Sequence, residues 1–576
     1  MNKKITPMGR LWLLLKPDSL DIRNIYIYAI FSGLVSLSLP LGIQAIVNLI
    51  QGGEVSASWI LLVTIVVLGV AISGIFQILQ LRITERLQQK IFARAAFEFA
   101  YRIPKIKLEQ LYKKYAPELM NRFFDTLTVQ KGLPKILIDF TAAALQVIFG
   151  LLLLSFYHPF FIVFSLVLAL LVVAIVQFTA KPGMRTSLEE SKHKYTVAYW
   201  LEEIARAAPS FKLAGQTRLP LNKTNNRVDN YLDARNDHFK ILMKQYALMV
   251  AYKVIVVAGL LGIGGILVFD QAMNIGQFIA AEIIILLVVS SVDKLIQTIE
   301  TIYDVLTALE KIAQVTELEI ESDEGIHADE EIKEEAIDVT LRDISFRYSD
   351  KDEPTLKGFN LKIKAGETIA LTGSNGSGKT TLLNILAGVY QPDSGSVLYG
   401  DIPYNNMEPE SIRNLTGSYL EEEIIFEGTV LENITLGRDI ASIENVKWAI
   451  EKTKLTEFVH GLKDGYNTIL DPLNQGLPKS IVQKILLARA IVIKPKILFL
   501  EQPLKHLDVN ERNELIDFLV SKENPWTLVA ITSMSYFAIK ADKTLVLHKG
   551  ELLSFEKFDD LDRIIDLEDH AEHIKK

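Results

Sequence analysis

The 576-residue sequence contains no cysteine, which excludes disulfides, thiolate metal sites and thiol catalysis. The absence does not bear on compartment, since a chain without thiols suits either side of a membrane. Residues 1–23 lack a short apolar core followed by a small-residue cleavage site, so no removable signal peptide is expected there. Basic charge is also scarce: 61 Lys and Arg against 69 Asp and Glu leave a net charge of −8. A nucleic-acid binder that works by neutralising phosphates is therefore not expected.

Three short stretches, 51–58, the neighbourhood of His158 and 270–275, contain no Lys or Arg. Hydrophobic residues make up 49% of the chain and charged residues 23%, the balance of apolar spans joined to a water-soluble part. Six apolar stretches lie at 24–50, 59–81, 137–157, 159–180, 245–269 and 276–296, each near the ~20 residues that cross a hydrocarbon core. The uncharged connections join them in three pairs. Between the pairs, 82–135 and 181–244 carry twelve Lys or Arg each. The positive-inside rule assigns these segments, and with them both termini, to the cytoplasm. Buried helices of a soluble protein would not produce this asymmetry.

The long inner segments are helical in pattern, with Leu87, Ile91, Ala95 and Phe99 at four-residue spacing. Pro117 and Pro209 lie within them and predict a break, with a short crossing helix at each inward tip. Beyond the sixth span the helix is expected to run through 301–315. An acid-rich run then reads as a solvated linker. Further on, short apolar strands at 368–371, 497–500, 528–531 and 544–547 alternate with helical windows, the pattern of parallel strands with crossover helices. The expected organisation is an N-terminal cytoplasmic segment 1–23, an all-α six-helix membrane domain 24–316, a linker 317–335 and an α/β P-loop nucleotide-binding domain 336–576.

The motif that carries chemistry follows the strand 368–371. It reads Gly373-Ser374-Asn375-Gly376-Ser377-Gly378-Lys379-Thr380-Thr381 and enters an apolar helix. Strand, glycine-rich loop and helix are the required context for a phosphate-binding loop. The glycines let backbone N–H groups turn inward at phosphate oxygens, and the helix adds its positive end. Lys379 is expected to reach the terminal phosphates, and the Thr380 hydroxyl to ligate Mg²⁺.

Six spans followed by this domain resemble a half-transporter of the ATP-binding cassette (ABC) exporter family over nearly the whole chain. The strings Gln391-Pro392-Asp393-Ser394-Gly395, Phe426-Glu427-Gly428-Thr429, Ala488-Arg489-Ala490 and Ala541-Asp542-Lys543 sit where that family has similar ones. The resemblance implies ATP and Mg²⁺ as cofactors, Tyr348 as the aromatic that stacks on adenine, and Thr380, Glu421 and Glu501 at the metal. It also exposes departures. Glu421 replaces the glutamine between the two subdomains. The signature Leu-Ser-Gly-Gly-Gln becomes Leu477-Pro478-Lys479-Ser480-Ile481. Glu501-Gln502 replaces Asp-Glu at a strand end, and Ser533 replaces the switch histidine, while the aspartate of the next loop remains as Asp508.

Glu501 keeps a carboxylate for Mg²⁺. Gln502, at the general-base position, can orient a water but cannot accept its proton, a loss of about 10²–10⁴-fold. Ser533, at the switch position, is too short to span the gap that an imidazole bridges. Pro478 lacks an N–H, and Lys479 and Ser480 carry side chains where glycines let backbone approach phosphate. Lys479 still offers a charge to phosphate. Binding of ATP with weak or absent hydrolysis is the expectation.

Within the spans, Lys253 and Glu282 are expensive unless they pair or face a polar cavity. They read as substrate-pathway contacts or, equally, as either a Lys253–Glu282 pair or side chains reaching for the lipid surface.

Carried over from the family, this is a multi-pass protein of the cytoplasmic (inner) membrane in a lipid bilayer, both termini inside. Its partner is a second half-transporter, with a heterodimer favoured over a homodimer because two copies would share the same altered residues. The sixth-span region from Gly276-Gln277-Phe278 resembles the type I secretion and bacteriocin-export branch, which leaves open a periplasmic adaptor. No peptidase-like domain is expected before the first span. The alternative is a non-hydrolysing ATP-binding subunit that regulates or scaffolds an export complex.

Overall fold

The computed structural model describes residues 5–51, 57–112, 116–420, 423–470 and 476–558. They divide into two compact units. One is built from Met1–Pro104 and Lys113–Leu318, the other from Lys105–Tyr112 and Glu319–Lys576.

The first unit is helical because a chain in hydrocarbon must satisfy every backbone N–H and C=O internally. Its helices long and apolar enough to cross a membrane are Pro7–Gln51, Ala57–Lys105, Glu118–Ser155, Pro159–Arg206, Leu219–Phe269 and Ile275–Thr316. Each is far longer than a membrane is thick, so the helices continue beyond the apolar stretches, as the Leu87 to Phe99 spacing predicts. Leu87, Ile91 and Phe99 are buried. The fourth long helix ends at Arg206, and Pro209 falls in the first turn of a short helix, Ala208–Leu213. Pro117 lies in another short helix, Ala116–Met120. Both prolines thus sit where the long helices have given way to short ones.

Packing in this unit is close. Val147, Leu151, Tyr252, Val256, Ile284 and Val288 belong to one buried cluster. Further along, Gly183 of Pro159–Arg206 faces Tyr303 of Ile275–Thr316, and a Cβ at Gly183 would lie 2.5 Å from the Tyr303 ring. Gln245 Nε2 donates to the hydroxyl of Tyr303 at 2.8 Å.

The Lys253–Glu282 pair does not form. Lys253 pairs with Asp293 instead. The reason is the register of the hairpin: Lys253 lies sixteen residues before Phe269, the end of its helix, which puts it level with a position about sixteen after Ile275. At 1.5 Å per residue, Glu282 is some 14 Å closer to the turn.

The second unit is an α/β domain with two main sheets. Its strands are β1 Val339–Phe346, β2 Leu356–Ile363, β3 Thr368–Gly373, β4 Ser394–Tyr399, β5 Ile402–Pro403, β6 Thr416–Tyr419, β7 Gly428–Thr429, β8 Ile469–Leu470, β9 Ile497–Glu501, β10 Thr527–Ile531, β11 Lys543–His548 and β12 Glu551–Glu556. The larger sheet runs β12-β11-β3-β10-β9-β6. From β11 to β6 its neighbours are parallel. β9 and β10 are buried along their whole length, as a parallel sheet covered on both faces requires. A second, antiparallel sheet runs β2-β1-β4-β5, and β7 pairs with β8.

The acid-rich run is not merely solvated. Glu319 accepts from Lys107 at 2.8 Å, Asp323 from Lys105 at 2.8 Å, and Glu321 from both terminal nitrogens of Arg413 at 2.6 and 2.7 Å. These acids pin the strand-like stretch around Ile320, bridged to Ile106, onto the second unit. Charge composition alone could not distinguish solvated from paired carboxylates.

Gly183→Val should overpack the Tyr303 contact and cost about 1–3 kcal/mol. Tyr303→Phe leaves the buried Gln245 amide without its acceptor, a loss of about 1–3 kcal/mol. Thermal unfolding of the purified chain in detergent should show a lowered midpoint for both. An unchanged midpoint for Gly183→Val would mean that the two helices do not pack at this glycine.

Candidate nucleotide-binding site

The topology brings the predicted residues to one edge. Four parallel strands, β3, β10, β9 and β6, end on the same side of the sheet. The loop 373–379 follows β3, Ser533 follows β10, Gln502 follows β9, and Glu421 follows β6. The carboxyl ends of parallel strands are where ligands bind in such sheets. Glu421 lies outside the described residues.

The loop has the backbone that its glycines allow. Gly373, Gly376 and Gly378 have φ of +142°, +76° and +101°. A Cβ at Gly373 would lie 2.2 Å from the Leu547 carbonyl, so only glycine fits there. Gly378 caps the helix Lys379–Leu386, which has eight residues and starts at the loop. Lys379 Nζ donates to the carbonyls of Gly373 at 2.7 Å and Ser374 at 2.9 Å, arching over the loop. The Ser377 hydroxyl is buried without a hydrogen-bond partner among the described residues. A buried hydroxyl of that kind costs stability until an acceptor oxygen reaches it. Curled backbone, lysine and orphaned hydroxyl together fit a phosphate group.

Beside the loop, Thr380 Oγ1 donates to Glu501 Oε1 at 2.5 Å. Glu501 is buried at the end of β9. A hydroxyl and a carboxylate held this close form a small, hard oxygen donor set, suited to a cation that takes its other ligands from phosphate and water.

Gln502 adopts φ +44°, left-handed for a residue with a Cβ, and its N–H donates to the Ile531 carbonyl at 2.9 Å. Backbone strain of this kind concentrates at sites. Ser533 is exposed two residues beyond the end of β10. In the altered signature, Pro478 occupies the N-cap of the helix Lys479–Ile491, so no N–H is available there. Asp508 caps the helix Val509–Val520 by accepting from the N–H groups of Asn510 and Glu511, both at 3.1 Å.

A cavity of about 530 Å³ opens beside this edge, lined by Glu423, Leu477, Lys479, Glu501, Gln502 and His506 among others. Glu423 and His506 were not singled out from sequence. Glu423 accepts from the Leu420 N–H at 3.1 Å, the Ser418 hydroxyl at 3.3 Å and Arg489 at 3.4 Å. Burial raises its carboxyl above the usual range, against the pull of those bonds. The run Glu421-Glu422-Glu423 holds the signal for it, but motif counting stops at the first.

Tyr348 does not stand with both faces open. Tyr112 stacks on it with centroids 4.6 Å apart and planes 26° from parallel, and Phe346 meets it edge-on at 5.0 Å. Its hydroxyl lies 2.8 Å from that of Thr381. Tyr112 is more than 200 positions away in sequence, and no local pattern marks it.

Gln502→Gly should relieve the left-handed strain and raise the unfolding midpoint, whereas Gln502→Val should lower it, each by about 1 kcal/mol. Equal midpoints for both variants would show that the backbone at 502 is relaxed.

A model for the ABC transporter transmembrane region matches residues 22–292, and one for the ABC transporter matches 356–505. The uncharacterized ABC transporter ATP-binding protein YfiB of Bacillus subtilis is 34% identical over 215 residues, 37% of each protein. The alpha-hemolysin translocation ATP-binding protein HlyB of Escherichia coli is 30% identical over 301 residues, 52% of this chain and 42% of that protein. The chain thus spans about two fifths of the length of these curated relatives. The solved structure of a bacterial Atm1-family ABC exporter with ATP bound matches with a TM-score of 0.81 and 19% identity, over 97% of this chain and 98% of that one.

Proposed function

Because this chain belongs to the ABC exporters, with a transmembrane and an ATP-binding domain fused in one polypeptide, we propose that it is the catalytically degenerate half of a heterodimeric exporter. In this reading it binds MgATP and moves a substrate outward across the cytoplasmic membrane with a hydrolysing second half-transporter. Both of its termini lie in the cytoplasm.

The observation that carries the reading is the contrast along one sheet edge. The loop after β3 keeps the glycines, lysine and orphaned Ser377 hydroxyl that a phosphate needs. The end of β9, where a base is required, presents the amide of Gln502. Bound Mg²⁺ would supply charge neutralisation of the phosphates, held by Thr380 and Glu501 with Glu421 as the further candidate. Lys379 places a positive charge against the phosphates. Tyr348 offers an aromatic face to adenine, and Tyr112 has to be accommodated by that arrangement. Gln502 can hold a water by hydrogen bonding but has no site for the proton that water must lose. Ser533 has too short a reach to replace an imidazole.

A second reading rests on the signature. With Pro478 at the N-cap and Lys479 opening the helix, this face contributes no free N–H at Pro478. That favours a non-hydrolysing subunit that regulates or scaffolds an export complex. Co-purification from native membranes separates the two, since a second half-transporter with intact Asp-Glu and histidine supports the first and its absence the second. A periplasmic adaptor would appear in the same experiment.

Tyr348→Ala should weaken ATP binding by about 1–3 kcal/mol through lost stacking, and Lys379→Ala should weaken it through lost phosphate charge. Titration of both with ATP, unchanged from the parent, would make the loop vestigial. The purified chain should show MgATP hydrolysis near background. Gln502→Glu alone should restore little, because residues acting as a unit are non-additive, while adding Ser533→His and a Leu-Ser-Gly-Gly-Gln signature should restore clearly more. Robust hydrolysis by the parent chain, abolished by Lys379→Ala, is the outcome that rejects the degenerate-half reading. Labels at Asn274 should be accessible from outside and labels at Arg218 only after permeabilisation; the reverse pattern would invert the topology.

A further inference from the structure

Most of the spans present lipid-like faces. On Pro159–Arg206 the exposed residues include Ile162, Val163, Leu166, Val167 and Leu170, and on the second long helix Ile60, Leu61, Ile65, Val67 and Leu68. The helix Ile275–Thr316 differs. From 282 to 297 its exposed positions are Glu282, Leu286, Ser290, Lys294 and Gln297, steps of four and three that keep them on one stripe. Four of the five are polar.

Among the described residues, neither charge of that stripe, Glu282 or Lys294, has an ion-pair partner, and Glu282 is the acidic one. It lies about 9 Å inside the outer end of the 276–296 stretch, at 1.5 Å per residue. Lys253, the cation of the preceding span, is taken by Asp293. Lys294 is two residues from the inner end and long enough to reach the interface. Among the described residues Glu282 has no ion-pair partner. A carboxylate that faces lipid at such depth is costly, so an exposed one belongs against water or a cation. Leu286, one turn along, and half-buried Ile279 and Ile283 place apolar surface beside it.

We propose that the stripe from Glu282 to Gln297 lines a water-filled passage, and that Glu282 selects a lipophilic cation as the transported cargo. The carboxylate supplies the counter-charge and the flanking Leu286 and Ile279 the apolar contact. The inference rests on the exporter reading and adds the substrate class to it.

The absence of cysteine makes the test direct, since Glu282→Cys introduces the sole thiol. With the full chain in lipid nanodiscs, a water-soluble, membrane-impermeant thiol reagent should modify Glu282→Cys and spare Ile162→Cys. Equilibrium dialysis should show saturable binding of tetraphenylphosphonium by the parent chain, and little of tetraphenylborate, its counterpart of similar shape and opposite charge. Glu282→Gln should weaken cation binding about tenfold, about 1.4 kcal/mol, while Glu282→Asp should stay within a few-fold of the parent. The unfolding midpoints of these variants check that each is folded. An inert thiol at 282, no saturable cation binding by the parent, or equal binding by a folded Glu282→Gln would each overturn the proposal. ATP binding measured on the same nanodiscs reports separately on the exporter reading, so a chain that binds cation but not ATP fails the reading and not the site.

Discussion

The hydrogen-bonded parallel ladder from β11 through β3, β10 and β9 to β6 is the interaction on which the site depends. Its strands are short and nearly all buried, so their direction and register are fixed by burial of both faces rather than by any one side chain. Once the ladder forms, residues separated by more than 150 positions, from Gly373 to Ser533, share one edge. The phosphate loop needs this support. Gly373 packs its α-carbon so closely on the Leu547 carbonyl of β11 that the neighbouring strand leaves no room for a side chain. A change in strand order would remove the cradle even if every loop residue stayed the same.

The helical unit obeys a different constraint with a similar result. Backbone groups satisfied within each helix leave side-chain packing and a few polar ties to set the register. Gly183 against Tyr303 and Gln245 against the Tyr303 hydroxyl are such ties, buried at or just beyond the ends of the apolar stretches. Lys253 with Asp293 is another, made possible because a tight hairpin fixes which depths face each other.

What was legible in the sequence followed local periodicity or a contiguous motif. The six apolar stretches, the helices continuing past them and the loop 373–381 all belong to that class, because spacing and composition encode them directly. The residues beside the site that escaped are set apart by contacts that neither periodicity nor a motif encodes. Tyr112 reaches Tyr348 from a segment of only eight residues that joins the second unit, and nothing in its neighbourhood distinguishes it from the surrounding helix-forming sequence. Glu423 is one of three consecutive glutamates, and only its bonds to Leu420, Ser418 and Arg489 set it apart. The acids of 317–335 looked solvated because composition records charge without partners; Arg413, Lys105 and Lys107 are the partners. The Lys253–Glu282 pair failed for a simpler reason, since counting residues from the hairpin turn puts Lys253 level with about position 291, within a turn of Asp293 and far from Glu282.

The proposed separation of ATP binding from hydrolysis rests on how the edge is built. In that reading phosphate recognition would hang on β3 and the helix after it, through backbone N–H groups that no side-chain exchange elsewhere removes. Gln502 and Ser533, the positions proposed for the proton acceptor and the switch, follow β9 and β10, each at its own strand end. Replacing a carboxylate by the amide of Gln502 keeps size and hydrogen-bonding reach but removes the basic oxygen, so the ladder need not move. The left-handed backbone at Gln502 is fixed by its N–H bond to the Ile531 carbonyl, which is indifferent to the side chain. In the proposed reading the base position at Gln502 can change while the phosphate cradle stays intact, because the loop follows β3 and Gln502 follows β9; Glu501, the β9 residue proposed for Mg²⁺, keeps its carboxylate.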